Sequence, residues 1–270
     1  RESVSDGLLR ALSHIGTPQA LDRLHELFED MNGTRERRRQ VIKALGSAND
    51  SAIPLLSELT VRFPDSSPEF EMGAKLLRLR PRSKTSEVLK SMALDPDQSD
   101  LASVASLIAG VCPTIELGDE LMKSWTKRTL PLNAVRACMV ALSKIDPARY
   151  EAYFTKHLVS EDVPTRALAV SCRALVPDPA LFETFRAFVN DPEKEIVLVA
   201  LNGLRKTPEG TGPKEGLVSY LAPSFKSEDT RVLEAALNLL GERASVKDFE
   251  GSLQLLTPHL AGKNKTSRKA

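Results

Sequence analysis

The chain has 270 residues, 41% of them hydrophobic and 27% charged, enough apolar material for a sizeable soluble core. Its 37 Lys and Arg against 36 Asp and Glu leave a formal net charge of +1, which excludes a generic polyanion binder and leaves only local patches to attract an anion. No apolar run approaches the roughly 20 residues of a membrane-spanning helix.

Apolar residues recur at three- and four-residue spacings almost throughout, so the chain reads as a succession of helices. One hydrophobic residue near the end of every second helix marks a period: Leu12, Leu45, Leu77, Val111, Leu142, Leu175, Leu204 and Leu240, spaced by 29 to 36 residues. Mostly apolar residues stand seven and three places before each marker, as with Val135 and Met139 before Leu142, and these offsets make one helix face. One place before the marker most residues are small, Gly110 and Gly203 among them, which predicts close approach by a neighbouring helix.

The first helix, over 4–15, reads as the second member of a pair. Its apolar face is expected to be uncapped, and N-terminal sequence is expected to be missing or supplied otherwise, since the chain opens without Met. The intervening helices follow with cores at Leu24 and Phe28, Leu56 and Leu59, Leu89 and Met92, then Leu121 and Trp125. Later ones use Phe154 and Leu158, Phe182 and Phe185, Leu221 and Phe225, and finally Phe249, Leu253 and Leu256. Thr17-Pro18, Asp178-Pro179 and Thr207-Pro208 read as helix starts, because proline is tolerated where its missing donor has no partner. Asp50, Ser83 and Ser245 read as caps, Asn32-Gly33 as a helix stop, and Lys206 to Gly216 as the longest loop.

The segment LVSEDVPTRALAVSCRAL, with Asp162, Pro164, Arg166, Ala167, Ala174 and Leu175, resembles a HEAT repeat. FVNDPEKEIVLVALNGL is similar at Asp191, Pro192, Ile196, Ala200 and Leu204, and 227–240 at Asp229, Arg231, Val232, Ala236 and Leu240. The resemblance implies an all-α superhelix, a HEAT-like solenoid of about eight stacked helix-pair units over residues 1–262, with the first unit lacking its first helix. Residues 263–270 then form a basic polar tail. Armadillo and other helix-pair solenoids have units of overlapping length. A ladder of arginines and aspartates, which the family often carries, is expected to be broken, because the column holding Arg166 and Arg231 holds Asn133 and Glu195 elsewhere.

No residue pattern calls for catalysis, a metal or a cofactor. Asp22, His25 and Glu29 share a helix face but read as a salt-linked surface, His157 as a partly exposed helix end, and the Gly210-x-Gly212 pair as linker. Cys138 and Cys172 fall in core columns and Trp125 reads as core. Three sparse cysteines without a C-x-x-C pair favour a reducing compartment, cytoplasmic or nuclear. Three glycosylation-type triplets, at Asn32, Asn49 and Asn264, leave secretion open.

The charge is informative where it clusters. Arg35, Arg37, Arg38, Arg39 and Lys43 crowd around Glu36, and Lys75, Arg78, Arg80, Arg82 and Lys84 occur with no acid between them. Two places before the markers stand Arg10, Lys43 and Lys75 in consecutive units, a predicted stripe that ends at Ala109 and Val140 and resumes with Arg173. In HEAT-like arrays these helices line the concave face. The predicted partner-binding residues are therefore Arg10, Arg39, Lys43, Lys75, Arg78 and Arg80, receiving an acidic or phosphorylated protein segment, with ordinary solvated charge as the competing reading. The expected function is a noncatalytic interaction scaffold. A nucleic-acid backbone binder and a regulatory subunit of an enzyme complex are the alternatives.

Overall fold

The computed structural model describes residues 6–30, 34–95, 100–125, 130–208, 211–213 and 215–243. They form two compact units, dividing between Asp146 and Pro147. In the first lie α1 (Asp6–Ile15), α2 (Pro18–Glu29), α3 (Arg35–Gly46), α4 (Ile53–Val61), α5 (Pro68–Arg78), α6 (Arg82–Leu94), α7 (Leu101–Val111), α8 (Ile115–Trp125) and α9 (Leu132–Ile145). In the second lie α10 (Glu151–His157), α11 (Val163–Arg173), α12 (Leu181–Val189), α13 (Lys194–Leu204), α14 (Leu217–Phe225) and α15 (Thr230–Arg243). The structure is all-α among the described residues, and none of these helices is long and apolar enough to cross a membrane.

The helices start where side chains satisfy their first amide groups. Thr17, Thr34, Ser67, Asp100 and Asp162 each accept a hydrogen bond from the backbone three residues on, opening α2, α3, α5, α7 and α11. Thr17-Pro18 starts a helix as expected. The other proline pairs do not: α12 begins only at Leu181, and Thr207-Pro208 opens the long loop before α14. Asp178 instead accepts from Ala180 N at 2.8 Å, a local turn that competes with helix. Asp50 lies in a short 3-10 turn capped by Asn49, and Ser83 lies inside α6, after its N-cap Pro81. Ser245, Asn32-Gly33, Phe249, Leu253, Leu256 and the basic tail lie outside the described residues.

Within the first unit the odd-numbered helices pack in sequence, α1 on α3, α3 on α5, α5 on α7 and α7 on α9, while α4, α6 and α8 make a second layer. The second unit repeats the scheme with α11, α13 and α15 in one layer and α12 and α14 in the other. Each helix is too short to persist alone, so its stability comes from the apolar face it lends its neighbours. The marker column is the seam of the odd layer: Leu45, Leu77, Leu142, Leu204 and Leu240 are buried. Leu12 and Val111 are half-buried. Leu175 departs from the column, 41% exposed, because α11 ends at Arg173 and the chain turns away. Ala174 and Val176 are buried on either side of it.

The small column is used unevenly. A Cβ on Gly203 would stand 2.7 Å from the Cβ of Ala174 and 3.1 Å from the Phe185 ring, so α13 approaches α11 and α12 more closely than any other residue allows. A Cβ on Gly110 would meet nothing within 4 Å. Gly73, which the small column does not include, is equally tight: its Cβ would overlap Thr60, whose methyl and Cβ lie at 2.7 and 2.9 Å.

Arginines fasten one odd helix to the next. Arg80 donates to the carbonyls of Leu45, Gly46 and Ala48 at 2.7, 2.7 and 2.5 Å, completing the C-terminus of α3 from the end of α5. Arg243 does the same from the end of α15, reaching the carbonyls of Arg205, Thr207 and Pro208 beyond α13. Both arginines stand three places after their markers, Leu77 and Leu240. The expected broken ladder is mended in the second unit: Arg166 lies 3.4 Å from Asp191, and Glu195, in the arginine column, accepts from Arg231 at 3.2 Å.

Candidate functional site

The basic clusters of the sequence separate into charges that build the fold and charges that face outward. Arg35 makes a two-pronged pair with the buried Glu69, at 2.8 and 2.5 Å, and the guanidinium holds that carboxyl below the usual carboxylate range. Arg37 pairs with Asp30 at 2.9 Å. Arg38 lies 5.5 Å from the Phe28 ring centre and donates to the Phe28 carbonyl. Lys84 meets Asp50 at 2.8 Å.

Among the six predicted partner-binding residues, Arg10 on α1, Lys43 on α3, and Lys75 and Arg78 on α5 are exposed and have no carboxylate partner among the described residues. The helices carrying them are consecutive in the odd layer. Arg39 is drawn toward Glu36 at 3.4 Å and Glu69 at 3.6 Å. Arg80 stands apart from the outward group, its guanidinium engaged by the α3 carbonyls. Ala109 and Val140, next in that column, are buried and half-buried. Arg173 does not resume it: the side chain is buried in the second unit, 2.9 Å from Glu151 and paired with Asp178.

Arg10 and Lys43 line opposite sides of a groove of about 490 Å³ between α1 and α3. Leu9 and Ala44 contribute apolar lining, and His14, Gln40, Ser47 and Glu36 add polar groups. Sequence reading missed His14, Gln40 and Ser47. The signal was present: His14 and Ser47 share the column two places after Leu12 and Leu45, four residues beyond the paired cations. A second groove of about 470 Å³ on α7 and α9 carries Asp65, Asp100, Ser103, Ser106, Asn133 and Arg136, so the odd layer passes from basic to mixed polar along the first unit.

Among the described residues no group of three His, Cys, Asp or Glu could hold a metal ion. His25 lies 3.5 Å from Glu29 and 3.8 Å from Glu58, both of which also pair with Arg62, so that face is salt-linked. His157 ends α10 half-buried against Tyr153, and burial, with Lys156 beside it, pushes its pKa down. Cys112, Cys138 and Cys172 are buried thiols that form no disulfide, and burial pushes the Cys138 thiol well up, away from nucleophilic use. Trp125 is buried. Gly210 lies outside the described residues.

Residues 7–30, within α1 and α2, match the family model of the PBS lyase HEAT-like repeat. That match falls outside the segments 158–175, 188–204 and 227–240 that carry the resemblance in sequence. No curated protein matches the chain.

Proposed function

We propose, from the premise that this chain is a HEAT-repeat protein, that it is a noncatalytic scaffold whose first unit receives an acidic protein segment on its odd-helix layer. The observation that carries this reading is the contrast between Arg10, Lys43, Lys75 and Arg78, exposed without partners, and the arginines around them that are consumed by the fold. Exposed cations without partners raise the local potential and have no internal ion pair to break when a carboxylate arrives. Rigid helix pairs hold Arg10, Lys43 and Lys75 about one repeat apart, with Arg78 beside Lys75, so an extended segment meets several weak contacts at once. The same period supports about eight units in one repeat domain over 1–262, closed by Phe249, Leu253 and Leu256, with 263–270 as a basic tail. Three sparse cysteines without a C-x-x-C pair support a reducing compartment, cytoplasmic or nuclear, over secretion.

The test is fluorescence anisotropy of a labelled glutamate-rich peptide. The intact protein should bind it, with affinity falling as salt rises. Lys75→Glu with Arg78→Glu should weaken binding about tenfold or more while circular dichroism stays unchanged. Unaltered affinity after both reversals refutes the assignment. Tighter binding of a DNA duplex than of the peptide at equal salt points to the nucleic-acid alternative instead.

A further inference from the structure

We infer that the groove between α1 and α3 is a seat for a phosphate monoester, carried as a phosphoserine or phosphothreonine by the segment that docks on the odd layer. This inference rests on the reading above and adds the chemistry of one subsite. The groove brings two unpartnered cations, Arg10 and Lys43, to one place from different helices. Elsewhere in the row Lys75 and Arg78 share one helix. A carboxylate offers two oxygens. A phosphate monoester offers three and nearly two charges, and suits a cluster of many donors. Arg10 supplies a guanidinium fork and Lys43 an ammonium, and Gln40, Ser47 and His14 add neutral or titratable donors around them.

Position along the groove matters as much as composition. On α3 the lining residues Glu36, Gln40, Lys43 and Ser47 form one stripe at spacings of four, three and four. Glu36 sits in the first turn of α3, away from Ser47 beyond its last turn, and inclines toward Arg39 at 3.4 Å. Glu36 therefore repels an anion from its end of the groove, and Arg10 and Lys43 attract one beside them. Leu9 and Ala44 offer apolar lining to the β-carbon or methyl of the modified residue. A volume of about 490 Å³ takes such a side chain with part of its backbone.

The experiment is an amide NMR titration of the full chain with three probes: a phosphoserine tripeptide, its glutamate counterpart, and inorganic phosphate. The phosphoserine peptide should give saturable shifts centred on Arg10, His14, Gln40, Lys43 and Ser47, and bind several-fold tighter than the glutamate peptide. Lys43→Ala should weaken it about tenfold, the scale of one charge-assisted hydrogen bond. Lys75→Ala should leave it unchanged. Equal affinity for the glutamate peptide, shifts centred on Lys75 and Arg78, or no shifts would overturn the inference. Inorganic phosphate saturating the groove as tightly as the peptide would overturn the segment as occupant. Should the groove fail while the longer glutamate-rich peptide still binds and responds to the Lys75 and Arg78 reversals, the scaffold reading stands and only this inference falls. Loss of both removes both.

Discussion

Two glycines of the odd layer separate helix propensity from helix packing. Gly73 and Gly110 both lie inside helices of the first unit, in α5 and α7. Replacing either by alanine removes backbone freedom from the unfolded chain and improves helix propensity by about 1 kcal/mol, a gain common to both. The environments differ. At Gly110 the new methyl meets nothing within 4 Å, so Gly110→Ala should stabilise by up to about 1 kcal/mol. At Gly73 it meets the buried Thr60, held in place because its hydroxyl donates to the Leu56 carbonyl at 2.6 Å. Relief requires α5 to move off α4 or Thr60 to leave its rotamer, an overpacking cost of about 1–3 kcal/mol. The two variants should therefore differ by about that overpacking cost, read as a lower urea midpoint for Gly73→Ala than for Gly110→Ala. Thr60→Ala should recover part of the loss at Gly73, a coupling of about 1 kcal/mol. Equal midpoints for the two glycine variants would refute close packing of α5 on α4.

Other outcomes follow from the same packing. Arg80→Ala should destabilise by about 2–3 kcal/mol in urea melts, since three helix-end carbonyls lose a charged donor, whereas Arg78→Ala, at an unpartnered surface position, should stay within about 0.5 kcal/mol. Leu204→Ala should cost about 2–5 kcal/mol by leaving a cavity, and Leu175→Ala much less, because the turn after α11 leaves that marker exposed. His157 has a lowered pKa, so between that value and its ordinary 6.5 the unfolded chain binds more protons than the folded one. Stability present above about pH 6.5 should therefore fall as the solution is acidified through that window, and urea midpoints at about pH 7.5 and 5.5 should lose part of their difference in His157→Gln. The Glu69 contribution belongs to a lower window: with its pKa held down, it is present above the ordinary value of 4.5 and is lost as pH falls through the depressed one.

The helix pairs and their period were legible because burial imposes a repeating pattern on the residues that face the seam, and Leu45, Leu77, Leu142, Leu204 and Leu240 all obey it. Leu175 broke the column because a marker tracks a helix face only while the helix continues. The small column told only half the truth for a similar reason: glycine at Gly203 and Gly110 looks identical in sequence, and only the neighbour distinguishes contact from open space. Capping was read in the wrong places, since Asp50 and Ser83 have the right side chains but lie inside the turns they were expected to open. At the candidate surface, the exposed cations Arg10, Lys43, Lys75 and Arg78 were visible as a column and its flank. The fate of Arg80 was not, because sequence shows where a guanidinium begins and not which carbonyls end beneath it. The same offset in Arg243 makes that role readable once one example is known.

In the proposed function, outward cations on successive odd helices act together as a docking row. An amide NMR footprint of the glutamate-rich peptide on the full chain tests it most directly. Perturbations are expected at Arg10, Lys43, Lys75 and Arg78 and along the solvent-facing side of α1, α3 and α5. Perturbations confined to α2, α4 and α6, or to the second unit, would contradict it.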